Sequence, residues 1–83
     1  MSMVQPIPLS ALPCGKGAVV HRLETTGSMR RRLLDIGLTP GSRVRALFQS
    51  CSGDPTAYEI CGSVIALRRE DAATVLVRLS DKT

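Results

Sequence analysis

Apolar positions along the chain change their spacing from one stretch to the next, and each change predicts a different kind of element. From Lys16 to Glu24, Val19, Val20 and Leu23 stand among polar residues, between Gly15-Lys16-Gly17 and Thr25-Thr26-Gly27, which predicts a strand. The spacing then lengthens. Met29, Leu33 and Ile36 recur at i, i+4 and i+7, with Leu34 widening the stripe, which predicts a helix of about two turns. Ser28 is placed as its N-cap, because its hydroxyl can accept a free N–H of the first turn. Gly37 is placed just past its end, where φ must be positive, with Leu38 beyond it to touch Leu33 in a Schellman stop. Thr39-Pro40-Gly41 suits a type II turn, with proline fixing φ at the second position and glycine supplying a positive φ at the third. From Ser42 the period becomes two. Val44, Ala46 and Phe48 are assigned to the core, and Arg43, Arg45, Leu47 and Gln49 to the opposite face.

The rest of the chain is shorter pieces of the same alphabet. Ser10 is expected to cap one turn over Ala11 to Cys14, ending at Gly15. Cys51 to Thr56 is turn chemistry in nearly every residue. Tyr58 to Cys61 and Ser63 to Leu67 are two strands that Gly62 joins in a tight hairpin. Arg68 to Ala73 suits one helical turn, and Thr74 to Leu79 a last strand with Val75, Val77 and Leu79 on one side. Residues 1–8 are expected to be a flexible leader, 9–80 a single domain and 81–83 a polar tail. The predicted class is mainly β: five short strands curl into a small SH3-like barrel, which leaves few exposed edges. One short α-helix in the connection between strands 1 and 2 plugs an end.

Composition narrows the function more than the fold. A chain of 83 residues has no room for a second core, and apolar residues at 43% suffice for one. Only Phe48 and Tyr58 are aromatic, so that core must rest on Leu, Val, Ile and Ala. No apolar run is long enough to span a bilayer, and MSMVQPIPLSALPCG lacks the positive region of a signal peptide, so a cytosolic chain is expected. Cys14, Cys51 and Cys61 are odd in number and fit no metal-knuckle spacing; ordinary buried or half-buried thiols are expected. The formal net charge of +4 permits anionic partners without selecting one.

Candidate chemistry is sparse. Gly15-Lys16-Gly17 lacks the spacing of a phosphate loop and reads as a turn. Glu70 and Asp71 are adjacent, so on a helical turn they point apart and do not pair as acid and base. His21 is the one histidine; with Glu24, Glu59 or Cys51 it would make a weak N/O/S site for Fe(II) or Zn. Arg30, Arg31, Arg32, Arg43, Arg45, Arg68 and Arg69 could grip phosphates, yet aromatics to stack bases are almost missing, which argues against nucleic acid. Arg30 and Arg31 fall in the first turn of the predicted helix, where the dipole favours acids. Asp35 offers Arg31 an i, i+4 pair in the weaker orientation. Such a cluster reads either as a solvated face or as a docking surface for an acidic partner.

Two blocks carry a family resemblance. Leu33-Leu34-Asp-Ile-Gly37-Leu38-Thr-Pro40-Gly41-Ser-Arg-Val44, then Gly62-Ser-Val-Ile-Ala66-Leu67-Arg68-Arg69-Glu-Asp-Ala72, resemble the FeoA family, the small ferrous iron transport protein A. Leu9-x-x-Leu12-x-x-Gly15 matches as well, so the likeness runs from Leu9 to Val77. The resemblance implies an SH3-like fold and a non-enzymatic cytosolic accessory role in bacterial ferrous iron uptake. Its partner would be the membrane permease FeoB and that permease's cytosolic G-protein domain. It brings no catalytic residue and no required cofactor. By position it assigns fold-making roles to Leu33, Leu34, Gly37, Leu38, Pro40, Gly41, Gly62, Ala66 and Leu67. Arg32 makes the basic run denser than the family pattern, and the three cysteines are not family hallmarks. The expected contact surface is Arg30, Arg31 and Arg32 together with the 51–57 loop, Asp54 and the neighbouring Tyr58. The alternative implied by the same resemblance is a transition-metal sensor akin to the C-terminal domain of iron-dependent repressors, with His21 as a ligand. Exposed strand edges and a small core make a homodimer reasonable.

Overall fold

The structure is a computed structural model, and it describes residues 5–80. Residues 1–4 and 81–83, half of the proposed leader and the whole proposed tail, lie outside the described residues. In chain order the elements are β1 (Ile7–Pro8), a 3-10 turn (Leu9–Ala11), β2 (Gly17–Leu23), α1 (Gly27–Asp35), β3 (Arg43–Gln49), β4 (Thr56–Ile60), β5 (Ser63–Leu67), α2 (Arg69–Ala72) and β6 (Val75–Leu79). The strands form one antiparallel sheet in the order β1-β6-β2-β3-β4-β5. The mainly-β, SH3-like expectation holds, with α1 in the connection foreseen for it.

Six strands stand where five were expected. The extra one comes from the stretch read as leader: Ile7 pairs with Val77 and Pro8 with Leu76 at the outer edge of β6. Two residues with a proline carry no alternation to detect, and an edge tolerates the missing N–H. The single turn expected from Ala11 to Cys14 forms earlier, over Leu9–Ala11, and Ser10 does not cap it; Leu12 N–H closes on Leu9 O at 3.0 Å.

The core is built from β-branched and aliphatic side chains facing inward, with Leu9, Leu33, Leu38, Ile60, Val75 and Val77 fully buried. Leu33 is the one fully enclosed residue of α1, so the short helix is held by the barrel, since a helix of this length is marginal by itself. It begins one residue before the predicted Ser28 cap. Thr26 occupies the N-cap position and makes no side-chain capping bond. The other end follows the prediction closely. Leu38 N–H bonds Leu33 O at 3.0 Å and Gly37 N–H bonds Leu34 O at 3.1 Å, the two closures of a Schellman motif, with Gly37 at φ +108°. Thr39-Pro40-Gly41-Ser42 closes as expected, Ser42 N–H to Thr39 O at 2.9 Å.

Two bulges decide which side chains reach the core. In β3, Ala46 faces Tyr58 but Phe48 faces Ala57, so Leu47 is the extra residue and the alternation inverts after it. Phe48, assigned to the core by its spacing, is therefore 62% exposed. In β2 the register slips between Val20 and Arg22, which makes His21 the extra residue opposite β6. Leu79 continues the inward side of β6 past the covered part of the sheet and is exposed.

Candidate functional site

Sequence reasoning placed the contact surface on α1 and the 51–57 loop, and the structure separates its members. Arg30, Arg31 and Arg32 are all exposed on α1. The first turn of the helix holds no acid, and the Arg31–Asp35 pair does not form. Among the described residues the one ion pair is Arg22–Glu24, at 2.9 Å on the surface. The three arginines are thus exposed and, among the described residues, none of them forms an ion pair.

Tyr58 does not belong to that surface. It is 2% exposed, packed in the core with Ala46, Leu67 and Ile60, and its hydroxyl donates to Leu9 O at 3.4 Å. Burial pushes its phenol above the ordinary value; the carboxylate of Asp54 and Cys14 add to the rise, and a hydrogen bond with Thr56 opposes it. Tyr58 and Ile60 alternate on one strand face, a signal that assigns Tyr58 to the interior. Asp54 has a local task as well. Its Oδ1 accepts the backbone N–H of Arg69 at 2.8 Å, at the start of α2. Its backbone oxygen accepts the hydroxyls of Ser50 at 2.7 Å and Ser52 at 3.0 Å, which shape the loop.

His21 is half-buried at the β2 bulge. Among the described residues, no group of three or more His, Cys, Asp or Glu side chains is placed to hold a metal ion. The cysteines depart from expectation, for Cys14, Cys51 and Cys61 are all exposed and free. Cys61 sits in the β4–β5 turn at φ +52°, its thiol 3.8 Å from Gly37 O. A two-residue loop with positive φ at both positions matches the twist of the strands it joins, and this thiol reaches the Schellman stop of α1 because of it.

One feature of this region escaped sequence reasoning. Between α1 and β5 runs a groove of about 260 Å³, floored by Met29, Ile36 and Ile65 and rimmed by Arg32, Arg68 and Asp71. Its members lie on elements far apart in the chain, so no local pattern announces it. Of the residues assigned fold-making roles, Leu33, Leu38 and Leu67 are buried, while Ala66 is exposed on β5 beside this groove. Among the described residues, no helix is long and apolar enough to cross a membrane.

Comparison with known proteins agrees with this architecture. The chain is 38% identical over 71 residues to a Porphyromonas gingivalis protein described as an Fe(2+) transport protein A/Fe(2+) transporter FeoB fusion. The match takes in 86% of the chain and 8% of that relative, so the chain corresponds to a small part of the longer protein's length. A crystal structure of Stenotrophomonas maltophilia FeoA complexed with zinc, described as an SH3 domain protein, superposes with a TM-score of 0.76 at 29% identity, covering 92% of this chain and 89% of that one. A manganese-dependent transcriptional repressor shares the fold, with a TM-score of 0.82 at 21% identity over 96% of this chain and 45% of that one. The family model described as the FeoA domain matches residues 7–79, and the chain belongs to that family.

Proposed function

We propose that this chain is a non-enzymatic, cytosolic accessory module of ferrous iron transport that works by contact with a FeoB-type permease, including its cytosolic G-protein domain. The observation behind this reading is the Porphyromonas gingivalis relative, in which a homologous domain and FeoB share one polypeptide. Linking two modules raises the effective concentration of each at the other, which benefits domains that touch in use. The Stenotrophomonas relative, described as a candidate activating factor of ferrous iron transport, supports the same role. On the chain itself, Arg30, Arg31 and Arg32 give such a partner an exposed surface with no internal counter-charge at its start.

The test is binding of the permease's isolated cytosolic domain to this protein, measured by calorimetry or pull-down. The wild type should bind, more weakly as salt rises, and the triple change Arg30→Glu, Arg31→Glu and Arg32→Glu should weaken it. Unchanged binding by the triple variant removes the arginine surface and leaves the role standing, whereas a wild type that does not bind removes the role. The metal-sensor alternative draws support from the zinc held by the Stenotrophomonas relative. Titration with Fe(II) or Zn(II) under reducing conditions decides it, since the absence of a chemical-shift response at His21 would dispose of that reading.

A further inference from the structure

We propose that the free edge of β5 takes an extended, acidic-apolar segment of the partner by strand addition, seated in the groove beside α1. The inference rests on the reading above, that the chain works by contact with a permease, and names the kind of segment it grips.

β5 ends the sheet, so one side of its backbone is unpaired. The two-residue turn Cys61-Gly62 makes Ile60 and Ser63 a hydrogen-bonded pair, and the register then bonds Tyr58 with Ile65 and Thr56 with Leu67. Val64 and Ala66 are the alternate residues, whose N–H and C=O groups point off the sheet into the open edge. Natural sheets blunt such edges with charge, proline, bulges or brevity. At the opposite edge β1 is two residues long and contains Pro8. β5, Ser63-Val-Ile-Ala-Leu67, has none of these devices, its ladder with β4 is unbulged, and Val64 is 62% exposed.

The groove supplies the selectivity. A strand laid along β5 alternates its side chains between the outer sheet face and the space over Met29, Ile36 and Ile65, which takes apolar groups. The rim holds Arg32 and Arg68 against the single acid Asp71, so acidic residues flanking those apolar ones are favoured. A second copy of this chain is the poorer occupant, because each copy has a formal net charge of +4.

The experiment titrates isotope-labelled protein with the unlabelled cytosolic domain of the permease encoded in the same genome, following amide shifts and hydrogen exchange. Binding should slow exchange at Val64 and Ala66. Ala66→Pro, which removes an edge donor, and the paired change Arg32→Glu with Arg68→Glu should each weaken binding by about tenfold. Where Ala66→Pro disturbs the β4–β5 ladder, the arginine pair on the exposed rim decides the matter. Binding with exchange at Val64 and Ala66 unaltered and the arginine pair silent overturns the edge as the site while the accessory role survives. Failure of the wild type to bind overturns both. Protection of those amides by raising the protein's own concentration, without the permease domain, would assign the edge to a second copy and overturn the acidic segment.

Discussion

Gly37→Ala isolates the step on which the barrel plug depends. Gly37 lies at φ +108°, beyond the left-handed region that even asparagine visits, so a side chain there strains the backbone by about 2 kcal/mol. An added Cβ would also stand 2.8 Å from Cys61 Sγ, with Ile60 Cγ2 at 3.4 Å and Cys61 Cβ at 3.5 Å. The thiol is the end of a short side chain and can swing away into a less favourable rotamer, at a further cost of about 1 kcal/mol. The sum, about 3 kcal/mol, is a large share of the roughly 5 kcal/mol expected of a domain this small. In urea, with a slope of about 1.2 kcal/mol/M, the midpoint should fall by about 2.5 M. Cys61→Ala by itself should be close to neutral, because the thiol is exposed. In the Gly37→Ala/Cys61→Ala double variant about 1 kcal/mol should return, the coupling of a double-mutant cycle. A Gly37→Ala loss below about 0.5 kcal/mol would mean that the helix end relaxes freely, and the account of the stop would be wrong. A full loss without rescue in the double variant would retain the backbone strain and remove the steric part.

Three other perturbations separate the remaining contributions. Leu33→Ala, at the fully buried helix residue, should cost about 3 kcal/mol in chemical denaturation and leave the strand content at low denaturant intact. Asp54→Ala removes the carboxylate that accepts Arg69 N–H and should cost about 1 kcal/mol, with faster exchange of the Arg69 amide as its local sign. Tyr58 has its phenol raised by burial, so above about pH 10 the unfolded chain gives up this proton before the folded one does, and stability falls as pH rises through that window. Tyr58→Phe should flatten this alkaline fall relative to wild type in pH-dependent unfolding, and an unchanged slope would show that the phenol is not the group responsible.

How much of this was legible in the sequence depends on the range of the physics involved. The helix stop and the type II turn were readable residue by residue, because Gly37, Leu38, Pro40 and Gly41 act within a few positions of themselves. The hairpin at Gly62 was readable for the same reason. What failed was anything that required counting across strands. Ala46 and Phe48 share a face in an ideal strand, and only the partner register shows that Leu47 is one residue too many. The same slip at His21 is invisible from β2 alone. Tyr58 was misplaced because its loop neighbours drew it toward the surface, although its spacing to Ile60 put both on the inner face. Exposure of the three thiols likewise depends on where the turns land and not on the cysteines themselves.

The placement of the arginines then has a physical consequence. A nine-residue helix cannot rely on its own propensity, and α1 begins without a side-chain cap and without an acid in its first turn. Arg30, the last residue of that turn, opposes the helix dipole by at most a few tenths of a kcal/mol, while Arg31 lies in the second turn, so Leu33 and the Gly37 stop must hold the helix without help from its start. Replacing Arg30 with glutamate should therefore stabilise the fold slightly, so the arginine at that position does not serve the helix. Arg32 is where two surfaces meet, since it belongs to the exposed basic face and also to the rim of the groove along β5. An acidic segment crossing α1 at Arg32 would arrive with its backbone beside Val64 and Ala66, where unpaired donors and acceptors already wait. Arg32, next after Arg30 and Arg31 in the same exposed run, is thus positioned to guide a partner strand onto the β5 edge that ends the sheet.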